Sequence, residues 1–285
     1  MIDLSRRLYR TLAGKDAYLA HVPLAALRAI RGNFATVTVG GKRLTVDLRD
    51  DVMGFHLAFR RIWEPNETAF VSRTLRPGDC VVDVGANLGY YATLFGGLVG
   101  PEGRVLAIEA NPANADLCAR NLAQNHLDGV VTLERAAAGP EGSSALLYMS
   151  RNNFGAHTMV KPDGDAEAVR VEVIPIDALV ADWPRLDFIK IDVEGYEPFV
   201  FAGARAALAR FPDVAIMCEF DPSYIARAGR DPFAFLEELA GQGFGFSTIG
   251  PGGRDDATSI PALRARLEGT HDAVNLLLRR AATRG

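Results

Sequence analysis

Cys80-Val81-Val82-Asp83-Val84-Gly85-Ala86-Asn87-Leu88-Gly89-Tyr90-Tyr91 is an apolar, β-branched run that breaks into a glycine turn. Such a run reads as a buried strand, and the two glycines with Asn87 between them read as a tight turn feeding a helix. A second apolar run, Arg104-Val105-Leu106-Ala107-Ile108, closes on Glu109, 20 residues after Gly89. Strand, glycine turn, helix and a second strand tipped by an acid make half of a nucleotide-binding α/β domain. Glycine lets the backbone approach a ligand closely, and a carboxylate at the second strand end can accept two ribose hydroxyls. The bland alternative is a turn whose glycines serve packing alone. Glu109 at that distance, with Asn111-Pro112 opening the next helix, weighs against it. An adenosine-containing cofactor is expected.

The charge of the turn separates the candidate cofactors. A dinucleotide fingerprint, Gly-x-Gly-x-x-Gly, admits a pyrophosphate at the helix N-terminus. Here Asn87 stands where the second glycine would be, and Asp83 puts an acid inside the motif. A negative charge there repels a pyrophosphate and suits a cation. S-adenosylmethionine carries a sulfonium and an ammonium and no phosphate, so it fits this turn better than NAD does. An NAD-dependent oxidoreductase is the weaker reading, and a catalytically inactive cofactor-binding or scaffold protein of the same fold is the other alternative.

The chain has 285 residues, enough for one large α/β domain with an extension. A net charge of −4 offers no basic excess for nucleic acid. The three cysteines, Cys80, Cys118 and Cys218, lie far apart, which suits reduced thiols in a cytoplasmic protein better than a disulfide framework. No apolar run has the length of a transmembrane segment, and no signal-peptide core is present. Oligomeric state leaves no trace in the sequence.

Residues 1–58 read as an N-terminal extension and 59–285 as the main domain. Residues 1–31 carry apolar positions at helical spacing, interleaved with Arg6, Arg7, Arg10, Arg28 and Arg31. A basic amphipathic helix can lie on a membrane, but packing on its own domain is the preferred reading. Alternation over 34–48 around Gly40-Gly41 reads as a hairpin. Strands are then expected over 80–84, 104–108, 129–133, 187–191 and 213–218, with helices over 88–98, 112–125, 197–209 and 231–241. That alternation is the pattern of a doubly wound, mostly parallel sheet. Residues 144–149 and 169–174 read as an inserted hairpin flanking a polar loop, Arg151 to Asp165, and 273–278 as a final strand.

The second informative run is Leu186-Asp187-Phe188-Ile189-Lys190-Ile191-Asp192-Val193-Glu194-Gly195-Tyr196-Glu197. Asp192, Glu194 and Glu197 cluster where an apolar strand breaks. Ligands of open α/β sheets bind beyond the carboxyl ends of the strands, so these acids should share a cleft with Gly85 and Glu109. Lys190 should pair with a nearby acid, because a lone buried ammonium is costly. Glu197 is equally explained as a carboxylate at a helix N-terminus.

Three ordered motifs carry a family resemblance: Asp83 to Tyr90, Glu109-Ala110-Asn111-Pro112, and Phe188 to Glu197, followed by Ala202-Gly203-Ala204 and Met217-Cys218-Glu219. Over roughly 60–250 the chain resembles the FkbM-type methyltransferases, a branch of the class I S-adenosylmethionine-dependent fold. The resemblance implies a Rossmann-like sheet of seven mostly parallel strands and methyl transfer to an oxygen of a sugar, glycolipid or polyketide-like small molecule. It places Asp83 toward the cofactor's amino end, Gly85 and Gly89 in the turn, Asn87 and Tyr90 near the methionine portion, and Glu109 on the ribose. Adenine would rest near Arg135-Ala136. The family's frequent Glu-Pro is replaced here by Glu109-Ala110-Asn111-Pro112, a change that bears on the adenine rim more than on the ribose.

A hydroxyl acceptor must lose a proton. Asp192 and Glu194 are the leading candidates for the base, since a carboxylate in a closed cleft can be raised toward neutrality. His157 is the second candidate, with a loop histidine that merely bonds a neighbour as its equal alternative. Asp192 and Glu219 would end adjacent strands and could hold Mg²⁺, but no third ligand is evident and no metal site is assigned.

Overall fold

The computed structural model describes residues 24–140 and 142–280. Of the basic amphipathic stretch read over residues 1–31, residues 1–23 lie outside the described residues. Residues 24–31 are helical. The hairpin follows as β1 (Phe34–Val39) and β2 (Lys42–Asp47), antiparallel around Gly40-Gly41. A short helix, Met53–Phe55, runs directly into a π-helical turn, His56–Arg60.

Helix Pro65–Thr74 leads to β3 (Cys80–Val84), and helix Tyr90–Val99 to β4 (Arg104–Ile108). Helix Pro112–Gln124 precedes β5 (Val131–Glu134). The inserted piece comprises β6 (Ala137–Ala138), β7 (Ser143–Tyr148) and β8 (Ala168–Ile174), paired in the order β6-β8-β7. The chain returns to the main sheet with β9 (Phe188–Ile191) and β10 (Ala215–Phe220), and ends it with β11 (Phe244–Gly250), β12 (Arg254–Thr258) and β13 (Val274–Arg280).

The main sheet is eight-stranded, in the order β12-β11-β13-β10-β9-β3-β4-β5. β5, β4, β3, β9 and β10 are mutually parallel, and β13 is inserted antiparallel to both β10 and β11. β3, β4, β9 and β10 are largely buried on both faces, β3 at every position, which is why their sequences read as apolar runs; β5, at the edge, is only partly buried. An edge strand, β12, adds to the seven that the resemblance implies. Its sequence, Arg-Asp-Asp-Ala-Thr, has no apolar alternation because an edge strand needs little burial.

One core lies between the sheet and the face carrying the hairpin and helices Tyr90–Val99 and Pro112–Gln124; the other lies on the opposite face. The hairpin is fastened to helix Pro112–Gln124 by Asn121, which accepts from the Thr45 amide at 2.7 Å and donates to the Thr45 carbonyl at 3.1 Å. The helix expected over 197–209 is two helices, Glu197–Ala202 and Arg205–Arg210. Gly203 sits at the break, so close to the Gly139 carbonyl that a Cβ there would overlap its oxygen. No helix among the described residues is long and apolar enough to cross a membrane.

β3 and β9 are neighbours, yet the chain runs outward from β3 to β4 on one side and from β9 to β10 on the other. That reversal leaves a crevice at their carboxyl ends. A cavity occupies it.

Candidate active site

A cavity of ≈ 280 Å³ lies over the ends of β3, β9 and β4. Its floor begins where β3 stops. Gly85 (φ 81°), Asn87 (φ 51°) and Gly89 (φ 87°) all take left-handed backbone, which turns the chain sharply into the next helix. A Cβ on Gly85 would overlap the Asp192 carbonyl oxygen, so the two strand ends meet with no room for a side chain. Gly89 serves packing instead. A Cβ there would lie 2.8 Å from Cys118 Sγ, so its absence lets two helices close.

Glu109 stands at the end of β4, 7% exposed and lining the cavity. Its Oε2 accepts from the Asn87 amide and its Oε1 from the Asn111 amide, both at 2.7 Å. Each oxygen keeps a further lone pair, so the carboxylate is held rigid and can still accept from a ligand. Burial pushes it up to about 7, against the two amides that favour its charged form. Asn111 caps the following helix through Oδ1, with Pro112 at its first turn. This explains Ala110-Asn111-Pro112 as a helix start; Ala110 alone of the three lines the cavity.

Toward the expected adenine end, Ala136 lines the cavity beside Ala137 and Ala138. Arg135 points elsewhere, pairing with Asp116 at 2.8 Å on the exposed face of helix Pro112–Gln124.

The β9 side carries the charge. Lys190 Nζ pairs with Asp192 Oδ2 at 2.9 Å and lies 5.0 Å from the Tyr91 ring centroid. Asp83 is its partner in the β3–β9 register. Burial alone would lower the Lys190 ammonium; Asp192, Asp83 and Glu64 outweigh it and hold it above its ordinary range. Asp83 is fully buried, raised to about 6 by burial, and neither of its oxygens has a hydrogen-bond partner among the described residues. It is not among the lining residues. Its negative charge acts from beneath the floor.

Beyond Asp192 the chain turns through Glu194 (φ 53°) and Gly195 (φ 99°). Glu197 holds that turn, its Oε1 accepting from the amides of Val193 and Gly195 at 3.1 and 3.2 Å. It is buried and does not line the cavity, so it serves the turn. Glu219, from β10, faces Asp192 and Glu194, and one oxygen of each of the three lies within 4.8 Å of the others. Glu194, read from the sequence as a candidate base, supplies the third oxygen that was not evident there, and the set could hold a divalent cation. Burial, then Asp192, Glu194 and Glu197, push Glu219 well above the carboxylate range.

The loop over 151–165 roofs the site. The Phe154 carbonyl accepts from Asn114 Nδ2 at 2.9 Å, and Thr158 Oγ1 donates to the Glu194 carbonyl at 2.7 Å. His157 lines the cavity, and its Nδ1 accepts from the Ser150 amide at 2.9 Å. A nitrogen that accepts carries no proton, so the neutral ring keeps its hydrogen on Nε2. Burial lowers this imidazole to about 4. In that form Nε2 can donate, and the bond to Ser150 is the kind of neighbour contact expected as the alternative to a base role.

A fourth wall comes from the N-terminal side. Val52, Met53, Trp63 and Glu64 line the cavity. Glu64 takes left-handed backbone (φ 41°) and accepts from the Tyr91 hydroxyl at 2.7 Å. Burial, with Glu67 and Asp192 adding and Lys190 opposing, raises it to about 8. Tyr90 also lines the site, its hydroxyl 3.0 Å from Thr68 Oγ1. Sequence reasoning missed Glu64 as a site residue. Trp63-Glu64-Pro65 announces a helix start, but nothing in it says which way the carboxylate faces.

Among the described residues Lys190 is the one lysine or arginine lining the cavity, against Glu64, Glu109, Asp192, Glu194 and Glu219. A pyrophosphate would find its only cation already paired. A ribose with a sulfonium and an ammonium fits this set.

Comparison with known proteins gives the family. The Methyltransferase FkbM domain model matches residues 83–246. A protein-L-isoaspartate O-methyltransferase from Methanopyrus kandleri is 39% identical over 69 residues, 24% of this chain and 30% of that protein. Methyltransferase sdnD from Sordaria araneosa is 28% identical over 155 residues, 43% of this chain and 59% of that protein. The chain thus spans less than two thirds of the curated relatives it matches. Among solved structures, an O-methyltransferase from Bacillus cereus in complex with SAH is 17% identical at a TM-score of 0.44, with 77% of this chain and 83% of that one covered. TomG from Streptomyces achromogenes, an O-methyltransferase in complex with SAM, is 16% identical at 0.45, with 77% and 82% covered. With the family model matched over more than half its length and a cavity suited to S-adenosylmethionine, this chain belongs to the FkbM family of S-adenosylmethionine-dependent methyltransferases.

Proposed function

We propose that the protein methylates a hydroxyl oxygen of a small molecule or glycan. The observation that supports this reading is the meeting of Asp192, Glu194 and Glu219 in the same cavity that Glu109 and Ala136 line. When bound, S-adenosylmethionine supplies a methyl group already activated by the sulfonium.

The chain's own work is alignment, exclusion of water and removal of one proton. Glu109 fixes the ribose. Trp63, Met53 and Phe154 wall the site with apolar surface. Either Asp192 or Glu194 accepts the hydroxyl proton as the new O–C bond forms and the C–S bond breaks. The Nε2 hydrogen of His157 orients the acceptor oxygen.

The isoaspartyl relative suggests a second reading, an acceptor that is itself a carboxylate. A carboxylate acceptor would enter a field of its own sign, and so this reading ranks below a neutral hydroxyl. Incubation with methyl-labelled cofactor and separate panels of saccharides, polyketide-type alcohols, amines and isoaspartyl peptides tests both. Alkali-stable label in the hydroxyl panels is the expected result. Alkali-labile label on peptide, or label in amines alone, would replace the reading.

A further inference from the structure

The stretch Val52–Glu64 has two sides with opposite character. Its inner residues, Val52, Met53, Trp63 and Glu64, line the cavity. Between them the π-helical turn and its exit carry Phe59, Arg60, Arg61 and Ile62 outward, all exposed. Phe59 and Ile62 are each 43% exposed. The Phe55 and Phe59 ring centroids lie 5.3 Å apart, with the Arg60 guanidinium 5.6 Å from the Phe55 ring. Arg61 takes left-handed backbone (φ 56°), so the segment turns sharply between its outer and inner residues.

The end of the hairpin continues this outer surface. β1 touches the π-helical turn, and Gly54 packs so tightly on the Asp47 carbonyl that a Cβ would overlap its oxygen. Phe34, 43% exposed, lies under the Arg49 guanidinium at 5.8 Å, and the same guanidinium lies 5.8 Å from Phe154 in the cavity roof. Ile30, just before the hairpin, is 80% exposed. Thus Ile30, Phe34, Phe59 and Ile62 are four of the five large apolar side chains exposed among the described residues; the fifth is Leu146 in the inserted sheet. Scattered singly such residues mean nothing, but this concentration calls for a partner.

The charge of the same region is one-sided. From 24 to 63 the exposed ionisable side chains are Arg31, Arg43, Arg49, Arg60 and Arg61, of which Arg49 is paired with the buried Asp47 and Arg43 lies at the far end of the hairpin; Asp50 and Asp51 are buried. The chain as a whole carries −4. Arginines interleaved with exposed aromatic and aliphatic side chains match an anionic interface with an apolar layer beneath it. A soluble polyanion would need the arginines but not Ile30, Phe59 and Ile62.

We propose that this outer lip docks the protein on an anionic lipid surface, with the cavity wall as its inner side. The docking does not depend on the hydroxyl reading of the site.

Flotation of the full-length protein with vesicles tests the docking without any turnover. The protein should float with phosphatidylcholine vesicles containing about 30% phosphatidylglycerol, not with phosphatidylcholine alone, and added salt should release it. Arg60→Gln with Arg61→Gln should lower partitioning by about thirtyfold. Phe59→Ser with Ile62→Ser should lower it roughly tenfold, and Leu146→Ser should leave it unchanged. Circular dichroism melting confirms that each variant folds, and the lipid and salt series on the unaltered protein needs no variant. The proposal is overturned if the protein stays with neither vesicle, or if the paired variants float like the parent. It is also overturned if dextran sulfate binds the parent and the serine pair equally while vesicles bind neither, which would mark a polyanion site.

Discussion

The Glu109 end of the cavity and the Asp192 end differ in how their polar groups are held. At the Glu109 end each bond is short-range along the chain or reaches only the neighbouring strand end: Asn87 and Asn111 amides hold Glu109, and Asn111 caps its own helix. At the Asp192 end the partners come from distant segments. Lys190 and Asp192 meet Asp83 from β3, Glu64 from the N-terminal side and Glu219 from β10. The first arrangement is held in place by backbone amides and keeps lone pairs for a ligand's hydroxyls. The second concentrates carboxylates around one ammonium and is balanced only when a cation arrives. A neutral ribose and a charged methionine end thus call for different means of recognition, and the two ends of the cavity supply them.

Removing the ammonium attacks the second arrangement most severely. Lys190→Met leaves Asp83 buried with no counter-ion, and should cost about 3–5 kcal/mol in urea unfolding. A loss under about 1 kcal/mol would mean that the acids are already protonated and Lys190 holds little together.

The two ends should also respond alike to pH while the site lacks cofactor. Asp83 (to about 6), Glu109 (to about 7) and Glu64 (to about 8) all titrate above their ordinary values of 3.8 and 4.5. A raised carboxyl favours the folded state while protonated. Its contribution is complete below the unfolded value and is lost as pH climbs through the folded one. Melting temperature of the unliganded protein should therefore fall between about pH 5 and pH 8. S-adenosylmethionine, which brings positive charge, should flatten that slope. A rise in stability over the same range would contradict the electrostatic contrast.

The smallest effect sharpens the roof between the two ends. His157 should show the Nε2–H tautomer in ¹⁵N-correlated NMR from about pH 6 to 9 and titrate near 4. His157→Gln, which keeps a donor, should bind the cofactor within about twofold of the parent. A ring that titrates near its ordinary 6.5 would restore it as a base.

What the sequence disclosed follows the same division. Asp83 to Tyr90, Glu109 and the acids of Asp192 to Glu197 are legible because a strand, a turn and a helix start are local events. Each leaves a contiguous signature of β-branched residues, glycine and Asn-Pro. The pairing of Lys190 was foreseeable from the cost of a lone buried ammonium, though not its distance. Glu64 and Trp63 were not legible as site residues, and neither was the meeting of Glu194, itself legible, with Glu219 from β10. These groups come together through tertiary packing between segments far apart in the chain, as Glu64 and Asp192 are, and no local pattern records that. The roles of Arg135 and His157 were obscured for a similar reason, since Asp116 and the Ser150 amide decide where their nitrogens point. The edge strand Arg254–Thr258 was hidden because its side chains are mostly solvated.

Calorimetric titration with S-adenosylmethionine and with NAD, on the parent, Glu109→Ala and Glu109→Gln, tests the central assignment most directly. The parent should bind S-adenosylmethionine and not NAD. Glu109→Ala should weaken binding by about 100-fold, with Glu109→Gln, which keeps one acceptor oxygen, in between. Binding of NAD, or equal affinity of all three proteins for S-adenosylmethionine, would contradict the assignment of this cavity.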